Sequence, residues 1–360
     1  MFITQNVDDD DAVLGFLPTW LRELSARVEK LVIVTFQLGV MPALPKNCSI
    51  RSLGRERGAG KLALLINFRR EMRAAIHEDG CDTVLAHMVP KYAVMARKLA
   101  MPRNMPLYLW YTHAGVNRWL LWCEPMVEKI FTASEESLRI ATKKKVVTKH
   151  GIDIDYLCPS DDGPVAGRLI TVGRLTPSKD VGVLIEGCSQ LRAKGHAVLL
   201  EIIGDAMEPG DVAYGAAMRE LAKKLSAKLA AEKLTTGEFV QFHGFVPYKQ
   251  IPSVYRRANI FISASRTGSV DKAVLEAMAC GSLVLTSNDS FRTILPREYI
   301  FKERDVDEFT KKAENLLNLN KEARAAAGRE LRSIVARDHA VAPLMERLVR
   351  EMSERAGGAR

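Results

Sequence analysis

Short apolar runs alternate with amphipathic stretches along the chain. The runs at 31–36, 260–264 and 283–286 are continuous, which is typical of strands buried on both faces of a parallel sheet. Several of the stretches between such runs repeat apolar residues at helical spacing. This alternation predicts an α/β protein built from doubly wound parallel sheets.

The pattern predicts the same organisation in both halves of the chain. The first half is predicted to have strands at 1–5, 31–36, 83–86, 107–111, 129–132 and 145–148, and helices at 16–30, 60–77, 91–99 and 117–124. The second half is predicted to have strands at 169–172, 197–203, 239–242, 260–264 and 283–286, and helices at 213–233, 306–317 and 321–337. One more amphipathic helix is predicted at 340–356.

A Pro-, Gly- and Asp-rich segment at 155–167 is the best linker in the sequence. It predicts a first domain at 1–158 and a second at 159–339. A length of 360 residues also favours two domains over a single core.

The segment 263–281 is predicted to form a polar loop followed by a short helix that stops at Gly281. This helix carries Glu276, which is a candidate binding residue. Such a loop lies at the carboxyl edge of a parallel sheet, where α/β proteins bind ligands. Ser269 is the predicted N-cap, and the free N–H groups of the first turn would attract a phosphate. Glu276 lies off the apolar stripe formed by Val270, Val274, Ala277 and Met278. It has two interpretations: a ligand-binding carboxylate, or a solvated residue paired with Lys272.

A second loop at the same edge, residues 173–179, carries two cations. Arg174 can hold phosphate oxygens through two parallel hydrogen bonds, and Lys179 adds a point charge. The two loops together suit a nucleoside diphosphate, with the cations on the pyrophosphate and Glu276 on the ribose hydroxyls. The alternative for Arg174 is an ordinary surface salt bridge.

His113 follows the strand predicted at 107–111, again at the ligand edge. There it would orient a substrate or assist a proton transfer, and the alternative is a histidine merely hydrogen-bonded at a strand end. The dinucleotide-binding GxGxxG after the first strand, the P-loop and the GxSxG elbow are all absent from the sequence.

Composition adds two expectations about the cellular setting. The acidic segment 8–11 is unlike the start of a secretory signal, and the longest uncharged apolar run, 31–45, is shorter than the ~20 residues that cross a bilayer. The six cysteines form no CxxC pair, which favours reduced thiols in a cytoplasmic protein and argues against zinc.

The net charge of +9 is partly local, because segment 51–73 has seven basic residues against two glutamates. The same segment also holds the apolar residues Leu62, Leu64, Leu65, Ile66 and Phe68. This mixture suits peripheral contact with an anionic membrane, at its inner face in a cytoplasmic protein. The alternative is an ordinary solvated helix face. No aromatic-interleaved basic stretch supports a nucleic-acid partner.

Four stretches of the second half together resemble the group 1 (family 4) glycosyltransferases of the GT-B architecture. They are 172–175 with Lys179, 199–205, 240–244 leading to Tyr255 and Ala258, and 271–281. The resemblance implies two doubly wound, Rossmann-like domains facing across a cleft, with the last helix, 340–360, returning to the first domain. It implies a retaining, metal-independent sugar transfer from a nucleotide-sugar substrate, without a cofactor, to a glycan or lipid-linked acceptor in cell-envelope synthesis.

The resemblance also implies roles for individual residues. Arg174 and Lys179 would neutralise the departing diphosphate, and His113 would lie near the sugar. The implied donor-binding residues are Glu276, Gly173, Gly268, Ser269, Asp271 and Lys272. One departure is that Gly268 stands where the family commonly has a first glutamate, so loop amides and Asp271 would replace that carboxylate.

Two other functions stay open on the sequence. One is a GT-B epimerase or phosphorylase acting on sugar phosphates. The other is a non-catalytic binder of anionic polymer, which the net charge suggests but which leaves Glu276, Arg174 and Lys179 without a purpose.

Overall fold

A computed structural model describes residues 1–234 and 237–354, and the chain folds into two compact units. The first unit contains Met1–Asp153 and the C-terminal segment from Ala340, and the second contains Ile154–His339. The predicted linker boundary at 158 lies five residues after this division. The reason is that the Arg332 guanidinium donates hydrogen bonds to the carbonyls of Ile154 and Leu157, both at 2.9 Å, and so joins residues 154–157 to the second unit.

The strands are short and belong to two parallel sheets. In chain order they are β1 (Phe2–Val7), β2 (Leu31–Leu38), β3 (Cys48–Ser52), β4 (Val84–His87), β5 (Leu107–Trp110), β6 (Ile130–Thr132), β7 (Lys145–Val147), β8 (Arg168–Val172), β9 (Leu199–Ile203), β10 (Val240–Gly244), β11 (Ile260–Ser263) and β12 (Leu283–Thr286). Helices fill most of the connections between them: α1 (Leu17–Ser25), α2 (Lys61–His77), α3 (Pro90–Leu99), α4 (Arg118–Cys123), α5 (Val181–Ala193), α6 (Pro209–Ala231), α7 (Ile251–Arg257), α8 (Lys272–Ala279), α9 (Val306–Leu317), α10 (Lys321–Asp338) and α11 (Val341–Ser353).

The first sheet has the order β3-β2-β1-β4-β5-β6-β7, and its pairs are parallel. Alternate strand residues face opposite sides. Ile3, Val84 and Leu109 pack under α2, α3 and α4, whereas Phe2 and Leu85 pack under α1 and α11. The sheet is thus covered on both faces, as the apolar runs predict.

The last helix, α11, packs against α1 in the first unit. Its apolar residues Val341, Leu344 and Leu348 are buried there. The Tyr108 hydroxyl donates to the carbonyl of Met352, 3.1 Å away, and Lys129 pairs with Glu351 at 2.7 Å.

The second sheet has the order β10-β9-β8-β11-β12 with parallel pairs throughout. In chain order within the unit this is 3-2-1-4-5, so the direction of winding reverses between β8 and β11. Such a switch point leaves a crevice at the carboxyl ends of the two strands, and ligands of doubly wound proteins bind in that crevice.

The predicted strands all exist within a few residues of their predicted bounds, but three elements, β3, α5 and α7, had no predicted bounds. Strand β3 is a partly exposed edge strand of sequence CSIRS, which has no continuous apolar run. Helix α7 has only seven residues and includes Pro252, so it is too short to show a helical repeat of apolar residues in the sequence. The six cysteines are free thiols.

Candidate functional site

The two loops with predicted chemistry lie side by side in the second unit. Strands β8 and β11 are direct neighbours, with Leu169 opposite Ile260 and Ile170 opposite Phe261. The loops that follow them, 173–180 and 264–271, therefore leave the same edge of the sheet at its switch point. The sequence predicted both loops at a carboxyl edge, and the strand order adds that they are adjacent.

The backbone of the first loop turns sharply at Gly173. Its φ of +154° is disfavoured for residues with side chains, and its N–H donates to the Ile203 carbonyl at 2.9 Å. A Cβ at this position would lie 3.2 Å from Cε of Lys179. Glycine therefore lets the Lys179 side chain lie directly against the end of β8.

Lys179 is held by an ion pair from the second loop. Its Nζ lies 2.7 Å from Oδ2 of Asp271, whose side chain is only 9% exposed. The Ser263 hydroxyl, at the end of β11, is 3.3 Å from the same oxygen. Asp271 thus connects the cation of one loop to the start of the helix that follows the other loop.

The prediction that Ser269 caps helix α8 is wrong, because Asp271 is the N-cap. Its side chain accepts a hydrogen bond from the N–H of Ala273, and the helix begins at Lys272. Val270 therefore precedes the helix, although it is buried as the predicted stripe requires. The Ser269 carbonyl accepts a 2.7 Å hydrogen bond from the Asn288 side chain, which fixes the loop beside Gly268, where φ is +63°.

Arg266 ties the two loops together, a role that sequence reasoning missed. Its N–H donates to the Ser178 carbonyl at 2.8 Å, and its guanidinium donates to the Pro177 carbonyl at 2.7 Å and lies 3.2 Å from Asp180. These contacts are made across the sheet edge between residues about 90 positions apart, which no local spacing signals.

Arg174 is exposed at the same edge. No ion pair of its guanidinium is found among residues 1–234 and 237–354, so the surface salt bridge considered as an alternative does not occur within that part of the chain. Its five donors are available to an anionic ligand.

Glu276 is buried, with 6% of its surface exposed, so the interpretation as a solvated residue is wrong. The pairing with Lys272 does exist, at 2.6 Å from Oε1. Two phenols also donate to this carboxylate: Tyr248 to Oε1 at 3.1 Å and Tyr255 to Oε2 at 2.8 Å. Three donors thus occupy three of roughly four acceptor positions on the carboxylate, leaving one for a ligand.

Both tyrosine hydroxyls act as hydrogen-bond donors to the Glu276 carboxylate. Burial and the adjacent Glu276 carboxylate raise the pKa of Tyr255 well above its usual value, so its hydroxyl stays protonated and donates. The Tyr248 ring stacks on Tyr156, with ring centres 5.9 Å apart, and the Lys272 ammonium lies 5.4 Å from the Tyr248 ring centre. The tyrosines come from 21 and 28 residues before Glu276, so sequence reasoning did not connect them to it.

His113 lies in the first unit, in the loop after β5, and its side chain is exposed. Its backbone N–H donates to the Ser137 carbonyl at 3.0 Å. Its Nδ1 accepts from the N–H of Gly115 at 2.8 Å, so a neutral ring carries its proton on Nε2 and presents a donor. This geometry favours the orienting role over that of a base acting through Nε2.

Residues 166–332 match the family model described as glycosyl transferases group 1. This segment contains both loops, Arg174, Lys179 and the Glu276 cluster. The match and the fold support a group 1 glycosyltransferase.

Curated relatives share part of this segment's sequence. The chain is 32% identical over 129 residues to the amylovoran biosynthesis glycosyltransferase AmsK of Erwinia amylovora, covering 34% of this chain and 28% of that protein. It is 27% identical over 130 residues to the mannosylfructose-phosphate synthase of Agrobacterium fabrum, covering 35% and 27%. The matches thus span less than a third of the length of these two relatives.

A solved structure matches along the whole chain. The sucrose-phosphate synthase of Thermosynechococcus elongatus superposes with a TM-score of 0.73, at 15% identity and over 100% of both chains. The chain therefore has the GT-B fold of two Rossmann-like parallel-sheet domains, as predicted. None of the described helices combines the length and apolarity needed to cross a membrane.

Proposed function

We propose that this protein is a retaining glycosyltransferase of the group 1, family 4 type that moves a sugar from a nucleotide-sugar donor to an acceptor hydroxyl. The observation that carries the proposal is the arrangement at the β8/β11 switch point. Lys179 of the loop after β8 pairs with Asp271, the N-cap of the helix that carries the buried Glu276, and Arg174 is exposed in the same loop as Lys179. All of these residues lie within the segment that matches group 1. AmsK takes part in amylovoran biosynthesis, which supports a polysaccharide or glycolipid as the product.

The donor's nucleoside diphosphate binds the second unit in this proposal. The Arg174 guanidinium takes pyrophosphate oxygens bidentately, and Lys179, already positioned by Asp271, adds a second positive charge. Glu276 accepts a ribose hydroxyl at its remaining acceptor position. Gly173, Gly268, Ser269 and Lys272 line the loops around the donor.

The chemical step breaks the bond between the anomeric carbon and the β-phosphate oxygen and forms one to the acceptor oxygen on the same face. The acceptor proton passes to the departing phosphate. Negative charge grows on that phosphate, where Arg174 and Lys179 stabilise it. Nε2 of His113 donates a hydrogen bond that orients the sugar. The step is proposed to need no metal, because the two cationic side chains supply the charge a metal would.

A thermal-shift screen tests the proposal. UDP, GDP and ADP, each with its sugar nucleotide, are added to the full chain, and a ligand bound by the folded state raises the melting temperature. We expect one base to stabilise wild type strongly and the Arg174→Ala variant weakly. Equal melting temperatures with every nucleotide would contradict the proposal.

Product analysis separates transfer from the alternatives. With the stabilising sugar nucleotide and a glycan acceptor, a transferase releases nucleoside diphosphate and an α- or β-linked product that keeps the donor's anomeric configuration. An epimerase releases an isomeric sugar, and a polymer binder releases nothing. We expect activity to persist in excess chelator, and loss that is restored by a divalent ion would refute metal independence.

A further inference from the structure

The helices on the two faces of the first unit differ in charge. Helices α2, α3 and α4 cover one face and carry four, three and one Lys or Arg residues, with a single glutamate among them. Helices α1 and α11 cover the other face and carry three Arg and three Glu residues between them. Among the helices of the first unit, the basic surplus is therefore concentrated in the layer formed by α2, α3 and α4, and the outer side of this layer is here called the basic face.

The basic face also exposes apolar side chains. On α2, Leu62 is 71% and Ile66 57% exposed, and Leu65 lies beside them. Leu62, Ile66, Arg69 and Arg73 follow one another at helical spacing, so a single stripe runs from apolar to cationic. The buried side of the same helix is held by Phe68 and Met72. The exposed Leu62 and Leu65 are therefore not part of the core of the first unit.

Helix α4 repeats the combination at the other end of the layer. Trp122 is 50% exposed, and Leu121 next to it is exposed as well. The Arg118 guanidinium lies 5.5 Å from the ring centre of Trp119 and 5.8 Å from that of Trp122. An exposed tryptophan with a cation on its ring is suited to the headgroup level of a bilayer, where Trp side chains concentrate.

The one glutamate of the layer does not cancel this charge. Glu71 is paired with Arg51 at 3.1 Å and with Arg70 at 2.8 Å. Within the described parts of the chain, Arg69 and Arg73 have no acidic partner. Their charges are therefore available to an external anion.

We propose that the basic face docks on an anionic phospholipid bilayer, with Leu62, Ile66 and Trp122 entering the interface and Arg69, Arg70 and Arg73 contacting lipid phosphates. A bilayer fits better than a nucleic acid, because a nucleic acid would pair with the arginines but leave the exposed leucines in water. An anionic bilayer both pairs with the arginines and buries the apolar side chains. This inference does not depend on the proposed catalytic function, since binding is measured without substrate.

Vesicle co-sedimentation of the full chain tests the proposal. Wild type is expected to pellet with vesicles of equal phosphatidylglycerol and phosphatidylcholine at low salt, and to stay in the supernatant with phosphatidylcholine alone. Changing Arg69, Arg70 and Arg73 to Ser should lower partitioning at least about tenfold, since each basic residue near the surface contributes a several-fold factor. The matched control changes Lys223, Lys224 and Lys228, exposed cations of α6 in the second unit, to Ser and should partition like wild type.

A second variant isolates the apolar contribution. The double variant with Leu62→Ser and Ile66→Ser should bind the anionic vesicles at low salt but detach from them at about 0.5 M salt. At that salt concentration the Debye length falls to roughly 4 Å, so only the apolar contacts that this variant lacks would persist. Because all these side chains are exposed, melting temperatures should match wild type. Wild type remaining in the supernatant with anionic vesicles, equal loss in the α6 control, or no effect of the apolar change would each overturn the proposal. Retention of a DNA oligonucleotide in place of the vesicles would assign the face to nucleic acid instead.

Discussion

The Lys179 ammonium lies 2.7 Å from Oδ2 of Asp271, while Oδ1 of the same carboxylate accepts the Ala273 N–H at 3.3 Å. One carboxylate therefore positions the cation of the first loop and caps the helix that carries Glu276. The phosphate end and the ribose end of the proposed donor site are thus connected through a single side chain.

Asp271 can be tested by separating its two roles. Asp271→Asn keeps a cap oxygen but removes the charge, whereas Asp271→Ala removes both. We expect Ala to lower the free energy of unfolding by about 1 kcal/mol more than Asn, and both to lower turnover by a similar factor because Lys179 is released. The matched control is Asp305, the N-cap of α9, where the same pair of changes should repeat the stability difference without affecting turnover. If turnover fell further in Asp271→Ala than in Asp271→Asn, in step with the loss of stability, the positioning role would be contradicted.

Arg174 and Lys179 are expected to contribute to catalysis separately. Arg174→Ala or Lys179→Ala should lower turnover by at least ~100-fold, the scale of losing one preorganised donor to a developing oxyanion. Steady-state release of nucleoside diphosphate measures it, with Lys223→Ala on α6 as the control for lost surface charge. Full activity in both variants would remove these residues from the mechanism.

Glu276→Gln should weaken nucleotide binding. The amide nitrogen would face one of the three donors, so the cluster loses an acceptor as well as its charge. Tyr255→Phe is the companion variant: it removes a donor and should cost about 1–2 kcal/mol of stability, yet leave the carboxylate and most of the affinity. Calorimetry gives the affinities, and the exposed Glu322→Gln serves as control. Unchanged affinity in Glu276→Gln would count against ribose binding.

The buried His87 is expected to make the free energy of unfolding depend on pH. Burial lowers the pKa of His87 to about 3, and an unfolded histidine has a pKa near 6.5. Between these values the unfolded chain binds a proton that the folded chain does not, so stability falls as pH falls from 6.5 towards 3. From pH 7 to 4.5 the histidine should cost about 2–3 kcal/mol, a loss that His87→Phe avoids. Denaturant unfolding at both pH values measures the difference, with the exposed His77→Gln keeping the wild-type slope. Parallel pH slopes in wild type and His87→Phe would disprove this origin.

Much of the fold follows from local pattern. Continuous apolar runs such as 31–36 indicate strands covered on both faces, and the polar loops after 172 and 264 indicate the ligand edge, because burial and turn chemistry act over a few residues. The resemblance to group 1 glycosyltransferases and the positions of Arg174, Lys179 and Glu276 were likewise readable from the sequence. The N-cap at Ser269 was misplaced because Ser and Asp both cap well, and spacing alone does not choose between them.

By itself the sequence determined two doubly wound halves, their ligand-edge loops and the residue types available there. Only the tertiary structure decided that β8 and β11 are neighbours, that Asp271 holds Lys179 across 92 positions, and that Tyr248 and Tyr255 bury Glu276. These contacts join residues far apart in the chain, and their partners are chosen by strand order and packing, which leave no periodic signal in the sequence.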